Sequence, residues 1–333
     1  MRLLAGWYAP TAMRASSSST SLKASPKALF QTFSTWFGGQ AYVLLVFTML
    51  VWGANSVAAR LAVGEIPPML LTSLRWAICC VALFATSRRE IAAHWRILIP
   101  HWRYLLLMGS LGFTGFNALF YAAAHYTTAI NLAIIQGTIP VFVLIGGLVF
   151  LGTRVRAMQV VGVLLTLAGI AVVASQGQFA LLRSLAFNIG DVWMVIACML
   201  YAFYALGLRR RPAVPPIVFF TAVALVAALV SLPLAGAEIA LGQSFVPTGK
   251  GWLLLLFTGL LPSFISQVTF IKAVGLIGPA RAGVFMNLVP VFGPLLAVAV
   301  LGESLSVYHG VALALVLGGI AVAERHGKPP LPR

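Results

Sequence analysis

Ten apolar runs of about twenty residues follow one another along the chain, at approximately 40–62, 68–87, 103–123, 127–150, 157–175, 189–208, 214–235, 251–274, 279–301 and 305–323. About 20 apolar residues in helical conformation cross the hydrocarbon core of a bilayer. The connections are too short to hold a soluble domain. The runs are continuous rather than alternating, which favours a helical bundle over a β-barrel. Composition agrees, with 61% hydrophobic and only 8% charged residues where soluble chains carry about 25%. The expected fold is an all-α integral membrane protein of ten transmembrane helices.

Net charge is +16, but the basic residues are scattered between apolar runs, so nucleic acid is not an expected partner. With the N-terminus inside, sixteen basic residues fall in cytoplasmic segments, among them Arg88, Arg89, Arg96, Arg103, Arg154, Arg156 and Arg209–Arg211. Only Arg183 and Lys250 fall outside. This positive-inside bias predicts cytoplasmic N- and C-termini. Residues 1–39, with a serine run and no acid, suit a disordered basic leader, and an organellar transit segment has the same composition. Residues 325–333 form a tail. Cys79, Cys80 and Cys198 lie inside apolar runs, odd in number and without ligand spacing, so neither a disulfide framework nor a metal site is expected.

Shifting the sequence by 150 positions lays its middle on its end without a gap. Gly109 meets Gly259, Phe120 meets Phe270, Pro140-Val141-Phe142 meets Pro290-Val291-Phe292, and Gly169-Ile170-Ala171-Val172 meets Gly319-Ile320-Ala321-Val322. The chain is thus expected to be an internal duplication, with repeats at 40–175 and 189–324. Each half holds five spans, an odd number, so the second copy enters the membrane in the opposite sense. Inverted repeats of this kind recur in secondary transporters, with substrate bound near the midplane between them.

These features resemble the drug/metabolite transporter superfamily, and within it the EamA-type exporters. The resemblance rests on Trp52-Gly53-Ala54-Asn55, on Arg75, on the proline-centred fourth helix, Leu-Gly terminus and Gly-Ile-Ala-Val fifth helix of each half, and on Leu301-Gly302-Glu303. The first half has Thr153 where the second has Glu303. The resemblance implies export of amino acids or related metabolites from bacterial cells across the inner membrane, with the aromatic and broad-range amino-acid exporters most similar. It implies no cofactor, and a fold able to function as a monomer.

Polar residues inside spans are costly unless they meet a partner or a water-filled cavity, so they mark the expected pathway. The cavity-lining candidates are Trp52, Asn55, Ser56, Arg75, Asn117, Tyr121, Gln136, Tyr201, Gln267 and Asn287. Asn117 and Gln267 coincide under the 150-residue shift. Hydrogen bonding between neighbouring helices explains such amides equally well. Pro140 and Pro290 each remove a backbone N–H, which makes them candidate gating hinges or static kinks. Tyr204 and Phe264 are further aromatic candidates, and Arg60 is expected to pair with Glu65.

All six acids fall at span ends or in connections. No carboxylate is expected near the midplane, which favours an uncoupled facilitator over proton coupling. A carrier of phosphorylated sugars or nucleotide-sugars would want a cluster of basic residues in the cavity, and Arg75 stands nearly alone. An intramembrane enzyme would need clustered His, Asp, Glu or an activated Ser, and the five histidines lie at span ends without ligand spacing.

Overall fold

The computed structural model describes residues 39–153, 156–178 and 188–325. The leader up to residue 38, Arg154, Arg183 and the tail beyond 325 lie outside the described residues. Those described are helical, without a strand.

Ten helices, several of them broken, are formed by the described residues. They are α1 (Ala41–Leu61), α2 (Pro68–Leu98), α3 (Trp102–Gly109, Ser110–Gly115 and Phe116–Ala123), α4 (Ala129–Gln136 and Ile139–Leu151) and α5 (Ala157–Ala174) in the first half. The second half holds α6 (Ile189–Gly207), α7 (Pro216–Ala240), α8 (Gly249–Leu260, Leu261–Ile265 and Ser266–Ile277), α9 (Pro279–Val284, Phe285–Leu288 and Val289–Leu301) and α10 (Val307–Arg325). Eight continuous stretches among the described residues are long and apolar enough to cross a bilayer, and Val307–Ala323 is a shorter apolar helix. One stretch, Pro68–Ala123, is 56 residues long and holds two crossings, α2 and α3. Its bend at Ser87 (φ −124°, ψ 16°) falls where the second apolar run ends. The basic connection beyond it is helical to Leu98, burying Ile91 and Leu98 and exposing Arg88, Arg89 and Arg96.

Local chemistry sets the helix ends. Thr128, Asn188 and Thr248 accept from the first-turn N–H groups of α4, α6 and α8, which supplies partners for donors with no intrahelical acceptor. Prolines open α2 and α7, where the missing N–H costs nothing. Gly152 (φ 61°) and Gly302 (φ 67°) end α4 and α9 in the left-handed conformation, 150 residues apart. That backbone geometry favours glycine.

Packing repeats the sequence symmetry. Three pairs of equivalent helices meet across the molecule, α2 with α7, α4 with α9 and α5 with α10. The first helix of each half packs into the other half, α1 on α8 and α9, and α6 on α3 and α4. The two inverted five-helix repeats therefore interleave. Glycines allow the closest approaches. A Cβ added to Gly53 would lie 2.9 Å from the Gly293 nitrogen, and one added to Gly162 would lie 2.4 Å from the Gly319 carbonyl oxygen.

Candidate functional site

α3 and α8 are equivalent under the repeat, and both open into a π-helical turn at matching sequence positions, Ser110–Gly115 and Leu261–Ile265. Leu111 and Leu261 stand 150 residues apart. A π turn widens the helix and commonly marks a functional position. In α8 the cause is visible: Pro262 offers no N–H, and the Ser263 hydroxyl bonds the Thr258 carbonyl at 2.7 Å.

Between the two turns lies a cavity, lined by Gly112 and Phe113 on one side and Pro262 on the other. Its wall draws on both repeats. Arg75, Asn55, Asn117, Gln136 and Gln267 supply the polar groups, and Trp52, Trp76, Phe113, Phe116 and Tyr201 supply aromatic faces. Pro140 and Pro262 complete bends in the wall. Of the sequence-selected candidates, Trp52, Asn55, Arg75, Asn117, Gln136, Tyr201, Gln267 and Pro140 line this cavity.

Ser56, Tyr121, Asn287 and Pro290 do not line it. Ser56 is fully buried and its hydroxyl has no partner among the described residues. Tyr121 sits behind the wall, 2% exposed, accepting from Arg75 and donating to Asn55 Oδ1 at 3.0 Å. Asn287 lies in sequence between the lining residues Met286 and Val289, with its Oδ1 buried and without a partner among the described residues. Pro290 is buried against Gly137, at the interruption of α4. Tyr204 packs on Phe113 at 5.0 Å, and Phe264 packs against the apolar cluster around Trp76.

Trp76, Phe113, Phe116 and the π turns were not legible as lining residues. Pro262 and the glycines of the Ser110–Gly115 segment were the available signals. The indole N–H of Trp52 donates to the Pro262 carbonyl at 3.3 Å, joining α1 to the α8 turn across the repeats.

Arg75 is 3% exposed and central to a polar network. Its Nε donates to Ser263 Oγ at 2.8 Å, and its Nη1 donates to Asn117 Oδ1 at 2.7 Å and to the Tyr121 hydroxyl. Asn117 and Gln267, equivalent in sequence, are not equivalent in bonding. Asn117 also donates to the Phe113 carbonyl at 2.7 Å. Gln267 lines the cavity, and its side chain makes no hydrogen bond to a described residue.

The acids stand away from this wall. Glu238 accepts from the Met69 and Leu70 N–H groups at 3.1 and 3.0 Å, capping α2. Glu303 does the same for α4, accepting from Ala129 and Ile130 at 2.9 and 3.0 Å, where a negative charge is favoured by the helix dipole. Asp191 is buried at the start of α6 and accepts from Thr127 at 2.5 Å. The expected Arg60–Glu65 pair does not form. Arg60 donates instead to the Ala124 carbonyl at 2.8 Å, the free C-terminal end of α3. Glu65 binds the Thr248 hydroxyl and pairs with Lys250 at 3.2 Å. Both hold its carboxyl below the usual carboxylate range, the Thr248 hydrogen bond most of all. Lys272 and Arg281 are exposed. Cys79, Cys80 and Cys198 are buried free thiols, and no group of metal-ligating side chains occurs among the described residues.

Comparison with known proteins places this architecture. YyaM of Bacillus subtilis, an uncharacterized transporter, is 24% identical over 289 residues, covering 85% of this chain and 93% of its own. The aromatic amino acid exporter YddG of Ancylobacter novellus is 25% identical over 283 residues, 84% of this chain and 96% of its own. The inner membrane transporter YedA of Escherichia coli K12, likewise uncharacterized, is 24% identical over 280 residues, covering 82% and 87%. A crystal structure superposes with a TM-score of 0.60 at 22% identity, covering 85% of this chain and 96% of that one, and so shares the fold. The sequence model of one family matches twice, at residues 39–175 and 188–324, and by that match the chain belongs to the EamA-like transporter family.

Proposed function

We propose that this transporter is a secondary carrier exporting amino acids, aromatic or broad-range, through the cavity between its inverted repeats. It works by alternating access as an uncoupled facilitator, in the inner membrane of a bacterial cell with both termini in the cytoplasm. The observation that carries this reading is the cavity wall itself. Trp52, Trp76, Phe113, Phe116 and Tyr201 offer aromatic faces beside Arg75 and the amides of Asn55, Asn117, Gln136 and Gln267. An apolar side chain with a polar head group suits such a surface, where a few placed polar groups fix orientation. The name of the Ancylobacter relative, an aromatic amino acid exporter, points the same way.

Two further features support the reading. Arg75 is the one cationic lining residue among those described, whereas a phosphorylated sugar would call for several. Glu238 and Glu303 are occupied in capping helices, which leaves no carboxylate on the described cavity wall. The interruptions of α4 and α9, beside Pro140 and Pro290, would serve as the bending points.

The test is uptake of labelled amino acids into proteoliposomes of the purified protein, with and without an imposed pH gradient. Flux of aromatic or several amino acids at equal rates in both conditions is the expected result. Flux only with the gradient would overturn the uncoupled mechanism, and no amino-acid flux from folded protein would overturn the substrate class.

A further inference from the structure

Arg75 carries a charge that nothing around it balances. A guanidinium stays protonated in any protein setting. Yet its partners are the neutral oxygens of Ser263, Asn117 and Tyr121, together with the ring faces of Trp76 and Tyr121 at 5.4 and 5.3 Å. It forms no ion pair among the described residues. A buried charge without a counter-charge is destabilising, and in a membrane it marks a functional site by default.

The three acceptors are themselves held in place. Ser263 donates its proton to the Thr258 carbonyl, Asn117 donates to the Phe113 carbonyl, and Tyr121 donates to Asn55 Oδ1. Each has its own hydrogen committed elsewhere and turns a lone pair to the arginine. They fix Nε and Nη1, while Nη2 makes no hydrogen bond to a described residue. The result is an oriented guanidinium on the cavity wall with donors to spare. The same region offers the complementary chemistry, because Gln136 Oε1 is a buried acceptor without a donor among the described residues. Gln136 lines the cavity.

We propose that Arg75 is the receptor for a free carboxylate on the transported molecule, with Gln136 receiving its ammonium group. The cargo class is thereby narrowed to zwitterions, and amides or amines bearing the same side chain are rejected. A carboxylate in this position takes charge-assisted hydrogen bonds from Nη2 and supplies the missing counter-charge. An amide or amine leaves the guanidinium uncompensated, which is how a site built for a polar group rejects analogues lacking it. This inference rests on the amino-acid reading of the cavity and deepens it.

The experiment uses the intact wild-type protein, so no variant has to fold. Proteoliposome uptake of labelled L-phenylalanine is measured against unlabelled L-phenylalanine, L-phenylalaninamide, phenethylamine and 3-phenylpropanoate. The amide and the amine are expected to compete at least ~30-fold more weakly than phenylalanine, the lower range for leaving a buried charge unpaired. 3-Phenylpropanoate, which lacks the ammonium, is also expected to compete more weakly. Equal competition by the amide and the amine in the wild type would overturn the carboxylate assignment while leaving amino-acid transport standing. Equal competition by 3-phenylpropanoate would overturn the ammonium assignment. No phenylalanine flux, together with none for any other amino acid, would overturn both this inference and the reading beneath it.

Discussion

Replacing Arg75 with Met should reduce transport by about 100-fold or more and leave the protein no less stable. The two halves of this expectation have one cause. The guanidinium is buried, charged and balanced only by neutral oxygens and ring faces, so it is a poor contributor to folding. Removing a buried charge that has no counter-charge relieves its desolvation penalty, which offsets the donor that Ser263, Asn117 and Tyr121 each lose. Met fills the same channel, and Ser263, Asn117 and Tyr121 keep the hydrogen bonds they donate. Transport, by contrast, loses the only cation on the described cavity wall. Sites strained for function commonly show this opposition of stability and activity. Flux into proteoliposomes and the melting temperature in detergent, measured on the same preparation, check both halves. Loss of folded protein would show that Arg75 is structural, and retained flux would show that it is idle.

The second large effect concerns the seam between α5 and α10. A Cβ on Gly319 would stand 2.4 Å from Thr166 Oγ1 and 2.5 Å from the Gly162 carbonyl oxygen. One of these atoms is backbone, and the Thr166 hydroxyl is itself tied to that carbonyl at 2.9 Å. Gly319→Ala gains about 1 kcal/mol of helix propensity but must push two helices apart. Overpacking typically costs about 1–3 kcal/mol, occasionally more, and a backbone contact places this site at the upper end. The net expectation is a lower melting temperature for Gly319→Ala and loss of folded protein for Gly319→Leu. Its neighbour is the control, since a Cβ on Gly318 meets nothing within 4 Å. Gly318→Ala should melt at the wild-type temperature or above. Thermal melts of the three variants by size-exclusion fluorescence decide the matter, and equal melting of Gly319→Ala and Gly318→Ala would contradict the close seam.

Much of the fold was written in features that need no tertiary information. Ten apolar runs, an odd number in each half, fixed helix count and inversion together. Gly152 and Gly302, 150 residues apart, end equivalent helices with equivalent backbone angles. The cavity was legible in part for the same reason. Trp52, Asn55, Arg75, Asn117, Gln136 and Gln267 are polar or amphipathic within apolar runs, and a bilayer allows few places for them.

What stayed hidden depends on contacts between distant residues. Ser263 lies 188 positions from Arg75, and nothing local to either residue announces the other. Tyr121 and Asn117 share a face of α3, yet one stands behind the cavity wall and the other in it. Trp76, Phe113 and Phe116 are apolar residues in apolar runs, without contrast to mark them. Arg60 and Glu65 were close enough in sequence to suggest a pair. The free carbonyl end of α3 and the α8 cap at Thr248 offered each a nearer partner.

The central claim is that the space between the repeats is the transport route, and Gln267 tests it most directly. Its side chain lines the cavity from the second repeat and makes no hydrogen bond to a described residue, so its removal disturbs little besides the wall. The measurement is initial amino-acid flux of Gln267→Ala in proteoliposomes, beside its melting temperature. The account predicts a wild-type melting temperature with flux reduced by roughly 10-fold, about the 1.4 kcal/mol of one polar contact to a charged group. Wild-type flux from this variant would contradict the claim that cargo passes through this cavity.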